Sequence, residues 1–316
     1  MNGIINVYKE KGYTSHDVVA KLRGILRQKK IGHTGTLDPQ AEGVLPVCLG
    51  NATRLCDLLT DKTKEYEAVL RLGITTDTQD MTGTVLSEAP VEITEDDIIN
   101  IMSTFKGKIM QVPPMYSALK VGGRKLVDLA REGIEVERKA REIEIYELEI
   151  LEVNLPFVRF CVDCSKGTYI RTLCQDIGEK AGCGGAMESL LRTRVDRFGI
   201  ADALTLDLIE QMRDGKKLDE ILYPVDEVFL HLPAVTVKDE FRKVIDNGNS
   251  LYPHMYEPRV EFYTDTKKTP AQIRIYNGDG IFYGIYVFDP ERRRFKPYKM
   301  FLDKEALKEK YGKEYF

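Results

Sequence analysis

The sequence predicts an α+β fold, with a mixed, mostly antiparallel central sheet flanked by helices and a smaller β-rich C-terminal unit. Three observations lead there. Residues 65–73, EYEAVLRLG, alternate with period two, so Tyr66, Ala68, Leu70 and Leu72 share one face of a half-buried strand. Strand-like runs return mainly through hairpin signals, with few regular βαβ alternations. Residues 273–288, IRIYNGDGIFYGIYVF, place two such runs around an Asn-Gly-Asp-Gly turn, a strong hairpin signal.

Residues 4–8 read as a short strand. Thr14-Ser15-His16-Asp17 fits a capping box, and Val18, Val19, Leu22, Ile25 and Leu26 follow at helical spacing. Asp17 is thereby explained as a helix-start residue. The polar run TTDTQDMTG (75–83) is a turn or loop. Thr94 to Phe105 is a helix with a hydroxyl and acids at its start. Residues 106–142, rich in Gly, Lys and Arg and containing Pro113-Pro114, read as a mobile polar segment. Residues 143–151 and 158–164 are strands, and Thr168 to Lys180 is a helix stopped by Gly182. The stretch 213–234 mixes charge with Gly215, Pro224 and Pro233, which places a domain boundary near residue 230.

Bulk properties narrow the function classes. A chain of 316 residues is long enough for two domains and a sizeable core. Its 43% hydrophobic and 30% charged content is that of a globular protein, and no apolar run approaches bilayer length. The opening MNGIINVYKEKG has no hydrophobic signal core, so a cytoplasmic location is expected and the six cysteines read as reduced thiols. A net charge of −4 argues against a uniformly basic nucleic-acid binder. Binding depends on where charge lies, however, and residues 21–30 and 292–299 each hold five cations and no anion. Cys161-x-x-Cys164 lacks a second pair at zinc spacing, and a strand end explains it without a metal. There is no Walker motif and no G-x-G-x-x-G.

The most informative stretch is 32–49, GHTGTLDPQAEGVLPVCL. It puts one carboxylate, Asp38, in a glycine-spaced polar loop that also carries His33. Pro39 disfavours the α region for Asp38, and an apolar run follows from Val44. A bare Asp-Pro marks only a turn. A charge on a rigid irregular loop beside a buried segment is how a nucleophilic or acid–base carboxylate is presented.

GHTGTLDP with AEGVLPVCLGNATRL resembles the catalytic motif of the TruB family of tRNA pseudouridine-55 synthases. The likeness extends in order through GIINVYKEKGYTSHDVV (3–19), KEYEAVLRLGITTDTQDMTG (64–83), PPMYSALKVGGRKLVDLAREGIEV (113–136) and CSKGTYIRTLCQDIGEKAGCGG (164–185). One mild departure is Glu42, where a small or hydroxyl residue is common in the family. The resemblance implies that Asp38 is the catalytic aspartate, with Arg171 as its paired cation. It gives Tyr66 a role stacking on an everted base and assisting proton transfer. Tyr169 matches a second pocket tyrosine, and His33 a histidine that fills the vacated place in the RNA stack. Asp17 holds a supporting position. Leu190, in ESLLRT, is expected as an apolar wall of the pocket.

In the family, the region 106–142 grips RNA like a thumb, and the end around RRRFKPYKMF resembles a PUA-like RNA-binding domain. The implied organisation is a catalytic domain over 1–230 and a PUA-like domain over 231–316. The implied reaction is isomerisation of a T-loop uridine of tRNA to pseudouridine. No cofactor, metal, guide RNA or obligate protein partner is expected, and the chain is expected to act as a monomer. Two other readings stand beside it: an RNA-guided pseudouridine synthase, and a non-catalytic RNA-binding or RNA-folding protein. A retaining glycosidase would need a second carboxylate at a defined separation, and no partner stands out.

Overall fold

In the computed structural model of the chain, residues 1–258 and 272–312 are described. The sequence opens with β1 (Gly3–Lys9) and α1 (Ser15–Leu26). Thr14 caps α1 by accepting from the Asp17 amide, and the Asp17 carboxylate accepts from the Thr14 amide at 2.8 Å, so the capping box is complete. Next come β2 (Ile31–His33), β3 (Glu42–Leu49), α2 (Cys56–Thr60) and β4 (Lys64–Leu72). A small hairpin, β5 (Ile74–Thr76) and β6 (Val85–Glu88), precedes α3 (Glu95–Ser103), which Thr94 caps.

The segment expected to be mobile and polar is more ordered than its composition implies. Its first part is β7 (Gly107–Gln111), which pairs with β10 (Arg141–Asn154) at the margin of the main sheet. Between them lie the short strands β8 (Lys120–Val121) and β9 (Arg124–Lys125), then α4 (Leu126–Arg131). Leu126 and Leu129 of α4 are buried, and these two apolar side chains anchor an otherwise polar segment.

β10 turns into β11 (Phe157–Cys164), followed by α5 (Ile170–Lys180), β12 (Gly185–Val195), β13 (Phe198–Gly199) and α6 (Leu206–Asp214). Among the described residues, nine strands make the main sheet, with the path β1-β3-β12-β4-β11-β10-β7. β2 pairs with β3 and β13 with β12. Every pairing is antiparallel except β3 with β12. That one parallel pair brings the Asp38 loop, just before β3, beside the middle of β12.

The second sheet uses β14 (Ala234–Val237), β15 (Tyr256–Glu257), β16 (Gln272–Tyr276), β17 (Phe282–Asp289) and β18 (Arg294–Met300). α7 (Arg242–Asp246) and α8 (Lys304–Tyr311) accompany it. Its order is β15-β14-β16-β17-β18, with the expected hairpin joining β16 to β17.

Apolar residues form four clusters. One lies beneath the Asp38 loop and includes Leu37, Tyr66, Ala68, Phe160 and Leu173. A second packs α1 and α6 on β1 and β3 through Val18, Leu22, Ile5, Val7 and Ile209. A third joins the two sheets, with Ile4, Val44 and Cys48 packed with Ile285 and Phe301. The fourth fills the C-terminal unit. β1 is thus apolar on both faces: Ile5 and Val7 face the helices, and Ile4 faces the cluster shared with the second sheet.

Candidate active site

The loop between β2 and β3 is held at several points by its backbone. The Thr34 amide donates to the Pro46 carbonyl, and the Gly12 amide to that of Pro39 at 2.8 Å. The Leu37 amide donates to the buried Ser15 hydroxyl at 2.9 Å. Leu37 and Ala41 are themselves buried, so the loop is pinned on either side of Asp38. Gly43 lets β3 pass against β12, because a Cβ there would run into the Arg192 carbonyl and its own φ is +107°.

Asp38 is met by Arg171 from the first turn of α5. Nε of Arg171 lies 3.0 Å from one carboxylate oxygen. The Arg171 side chain is 7% exposed and that of Asp38 39%, so the pair opens toward solvent on the carboxylate side. A surface arginine is thereby ruled out. Arg171 also donates to the carbonyls of Thr78 at 3.1 Å and Tyr116 at 2.8 Å, and stands 3.9 Å from Asp80. These bonds tie together α5, the 77–84 loop and the segment after β7 around one guanidinium, whose planar fork suits several acceptors at once.

Electrostatics at Asp38 run against simple neutralisation. Burial pushes its carboxyl above the ordinary aspartate range; Arg171 and Lys9 oppose the rise, and Asp80 adds to it. Tyr66 is 7% exposed on β4, and burial raises its phenol while Arg192 opposes. Tyr169 sits at the N-cap of α5 with its phenol likewise raised by burial. Its backbone amide and carbonyl are clamped by the Gln111 side chain at 2.9 and 3.1 Å. Asp38 adds a small upward push to both phenols. Leu190 lies across from Ala68 on β12, packed on the cluster that contains Leu37 and Tyr66.

Asp38 and Arg171 thus meet directly, Tyr66 and Leu190 pack with Leu37 of the same loop, and Tyr169 stands at the start of the helix that carries Arg171. His33 sits at the end of β2, where its Nδ1 accepts from the Gly35 amide and its ring meets His16 edge-on at 5.3 Å. Burial, then His16, lowers its imidazole pKa and so favours the neutral ring. The Asp17 carboxylate is turned to Thr14 and is exposed, not brought to the Asp38 pocket. The residue of that turn that does reach the Asp38 loop is Ser15.

Sequence reasoning missed four charged residues. Asp80 lies beside Arg171, held by the hydroxyls of Thr78 and Thr82. Lys9 is fully buried, donates to the carbonyls of Tyr13 and Pro39, and is pushed down to about 8 by burial. Lys64 donates to the carbonyls of Thr60 and Lys62 and is also lowered to about 8 by burial. Arg192 is 1% exposed beneath the loop. Among the described residues, no cluster of His, Cys, Asp or Glu could hold a metal ion.

Comparison with known proteins bears on this geometry. The model of the TruB family pseudouridylate synthase N-terminal domain matches residues 23–170, and that of the tRNA pseudouridylate synthase B C-terminal domain matches 171–230. A tRNA pseudouridine synthase B of Lachnoclostridium phytofermentans is 53% identical over 311 residues, 96% of this chain and all of that one. The chain belongs to the TruB family. A TruB relative named tRNA pseudouridine synthase B in Clostridium acetobutylicum is 43% identical over 90% of this chain and 95% of its own. Among solved structures, a Cbf5 chain in a Cbf5-Nop10-Gar1 complex superposes with a TM-score of 0.69 at 29% identity, covering 96% of this TruB chain and 86% of its own. An H/ACA ribonucleoprotein bound to a substrate RNA containing 2′-deoxyuridine gives 0.67 at 27% identity, with coverage of 96% and 86%.

Proposed function

We propose that this TruB-family chain isomerises a T-loop uridine of tRNA, position 55, to pseudouridine, acting alone and without a guide RNA. The observation that carries the reading is the buried Arg171 holding the Asp38 carboxylate at 3.0 Å, beside a cluster in which Tyr66 and Leu190 pack with Leu37 of the same loop. The reaction breaks the C1′–N1 bond and forms C1′–C5, with one proton leaving C5 and one arriving at N1. Atoms and electrons balance with no redox partner. A carboxylate can attack the base, attack the sugar or remove a sugar proton, and each route needs Asp38 ionised. Arg171 supports that anion against burial. Everting the uridine costs a few kcal/mol of stacking, which the Tyr66 and Tyr169 rings offset in part.

In this reading residues 1–230 are the catalytic domain, 106–142 grip the RNA, and His33 fills the place the uridine leaves. Residues 231–316 form the PUA-like RNA-binding domain, of which 259–271 and 313–316 lie outside the described residues. Asp17 supports the site indirectly, by capping α1 so that Ser15 meets Leu37. The chain works as a monomer in the cytoplasm; among the described residues no helix is long and apolar enough to cross a membrane. The RNA-guided reading draws on the H/ACA neighbours, yet the relatives at 43–53% identity carry the name of the tRNA enzyme.

One experiment separates these readings. Purified protein is incubated with an unmodified tRNA transcript and no other RNA, and pseudouridine is mapped by position. Product at a single T-loop uridine is expected from the parent, and none from Asp38→Asn, which should still bind the transcript. No product without a guide RNA would favour the guided reading, and full product from Asp38→Asn would remove Asp38 from its role.

A further inference from the structure

Arg192 on β12 stands directly across from Tyr66 on β4. Burying a guanidinium is costly unless its donors are satisfied and its charge is answered. No carboxylate pairs with Arg192 among the described residues. Its Nε donates to the Val44 carbonyl at 2.7 Å, and an Nη to that of Gly35 at 3.5 Å. Those two carbonyls flank the Asp38 loop on its two sides. Gly35 lies directly on the guanidinium, since a Cβ there would stand 3.7 Å from Arg192 Nη1. Across the strand pair its charge also acts on the Tyr66 phenol, opposing the rise that burial imposes there.

A guanidinium only donates, so toward Arg192 the Tyr66 oxygen can serve only as an acceptor. The phenol's own hydrogen then points away from Arg192. Tyr66 packs in one cluster with Leu37, the residue before Asp38, so the Asp38 side is where that hydrogen can be used. We propose that Arg192 is a positioning residue, fixing Tyr66 as a proton donor toward the uridine pocket while clamping the loop that carries Asp38. The idea rests on the isomerase reading above.

The test combines kinetics with a titration that needs no turnover. Arg192→Lys keeps the charge but loses the fork that reaches Val44, Gly35 and Tyr66 together. It should lower kcat on tRNA by roughly tenfold or more while KM stays within about threefold, as for a misplaced reacting group. In a Tyr66→Phe background the same change should cost clearly less than in the parent, the remainder being its share in holding the Asp38 loop. Losses that multiply in the double variant would mark Arg192 as merely structural and overturn the proposal.

Fluorotyrosine placed at position 66 and followed by fluorine NMR gives the second readout. Its phenol should titrate higher in Arg192→Met than in the parent, and higher to a lesser degree in Arg192→Lys if the Met variant does not fold. An unmoved titration in a folded variant would overturn the proposal even if kcat fell. A parent enzyme that makes no pseudouridine would instead sink the isomerase reading, and the fluorine titration would still decide whether Arg192 acts on Tyr66.

Discussion

Asp38 carries its charge in a place that resists it. Burial raises its carboxyl pKa more than Arg171 and Lys9 lower it. A carboxylate whose folded value lies above its unfolded one contributes stability below the unfolded value, near 3.8, and loses it as pH rises through the folded value. At neutral pH the ionised Asp38 therefore costs stability. Asp38→Asn should melt at or above the parent at pH 7, with the difference vanishing as pH falls below about 4, while turnover drops about 10³-fold or more. Thermal melts across pH together with pseudouridine assays check both halves. A variant that melts clearly below the parent at pH 7 would mean the Arg171 pair outweighs burial. Arg171→Lys provides the complementary case. A point charge cannot serve Asp38, Thr78 and Tyr116 at once, so the acid limb of kcat should move to higher pH and kcat at neutral pH should fall about 10–100-fold. An acid limb that stays in place would strip Arg171 of its counter-charge role.

Elements carry the site through two contacts that side-chain chemistry alone does not show. Ser15, in the first turn of α1, satisfies the buried Leu37 amide next to Asp38. Ser15→Ala leaves that donor unpaired, which should cost about 1–3 kcal/mol and loosen the loop, so kcat falls along with the denaturation midpoint. Gly178 lets α5 lie on the Gly184–Gly185 backbone at the start of β12, since a Cβ there would collide with it. Gly178→Ala should push α5 off the sheet at a cost of about 1–3 kcal/mol and carry Arg171 away from Asp38. Much of this level is legible in the sequence. The Thr14–Asp17 box, the period-two strand at Tyr66 and the 273–288 hairpin are local patterns, and the structure keeps each one. Asp38 and Arg171 stand out through motif resemblance, although 133 residues separate them. Lys9, Lys64, Asp80 and Arg192 do not, because in sequence a buried cation or loop acid looks like any surface charge. Only the β4–β12 register puts Arg192 against Tyr66, and no local spacing encodes that register.

At the scale of the molecule, the two sheets share a core and the C-terminal one presents cations. Ile285 and Phe301 pack with Ile4 and Val44, and Asn51 donates to the Leu302 carbonyl at 2.9 Å. The second sheet is thus seated firmly on the first, with β18 last in its order and bridged on its outer side by Leu251 at Phe295. Arg292, Arg293, Lys296 and Tyr298 on or beside β18 are exposed, whereas Arg294 is engaged with Asp289. Two explanations compete for these exposed cations. Lysine on an edge strand deters pairing with other chains, and cations interleaved with an exposed aromatic suit a phosphate backbone. Reversing the charges distinguishes them, because glutamate guards an edge as well as lysine but repels RNA. The triple variant Arg292→Glu, Arg293→Glu, Lys296→Glu should stay monodisperse and keep its melting temperature. Its KM for tRNA should rise about tenfold at low salt with kcat unchanged, and the slope of log KM against log salt should shrink by about one for each phosphate no longer neutralised. A variant whose KM and salt slope match the parent's would leave β18 as a guarded edge, and the RNA would then have to reach the Asp38 pocket by way of the 106–142 segment and the 21–30 cations alone.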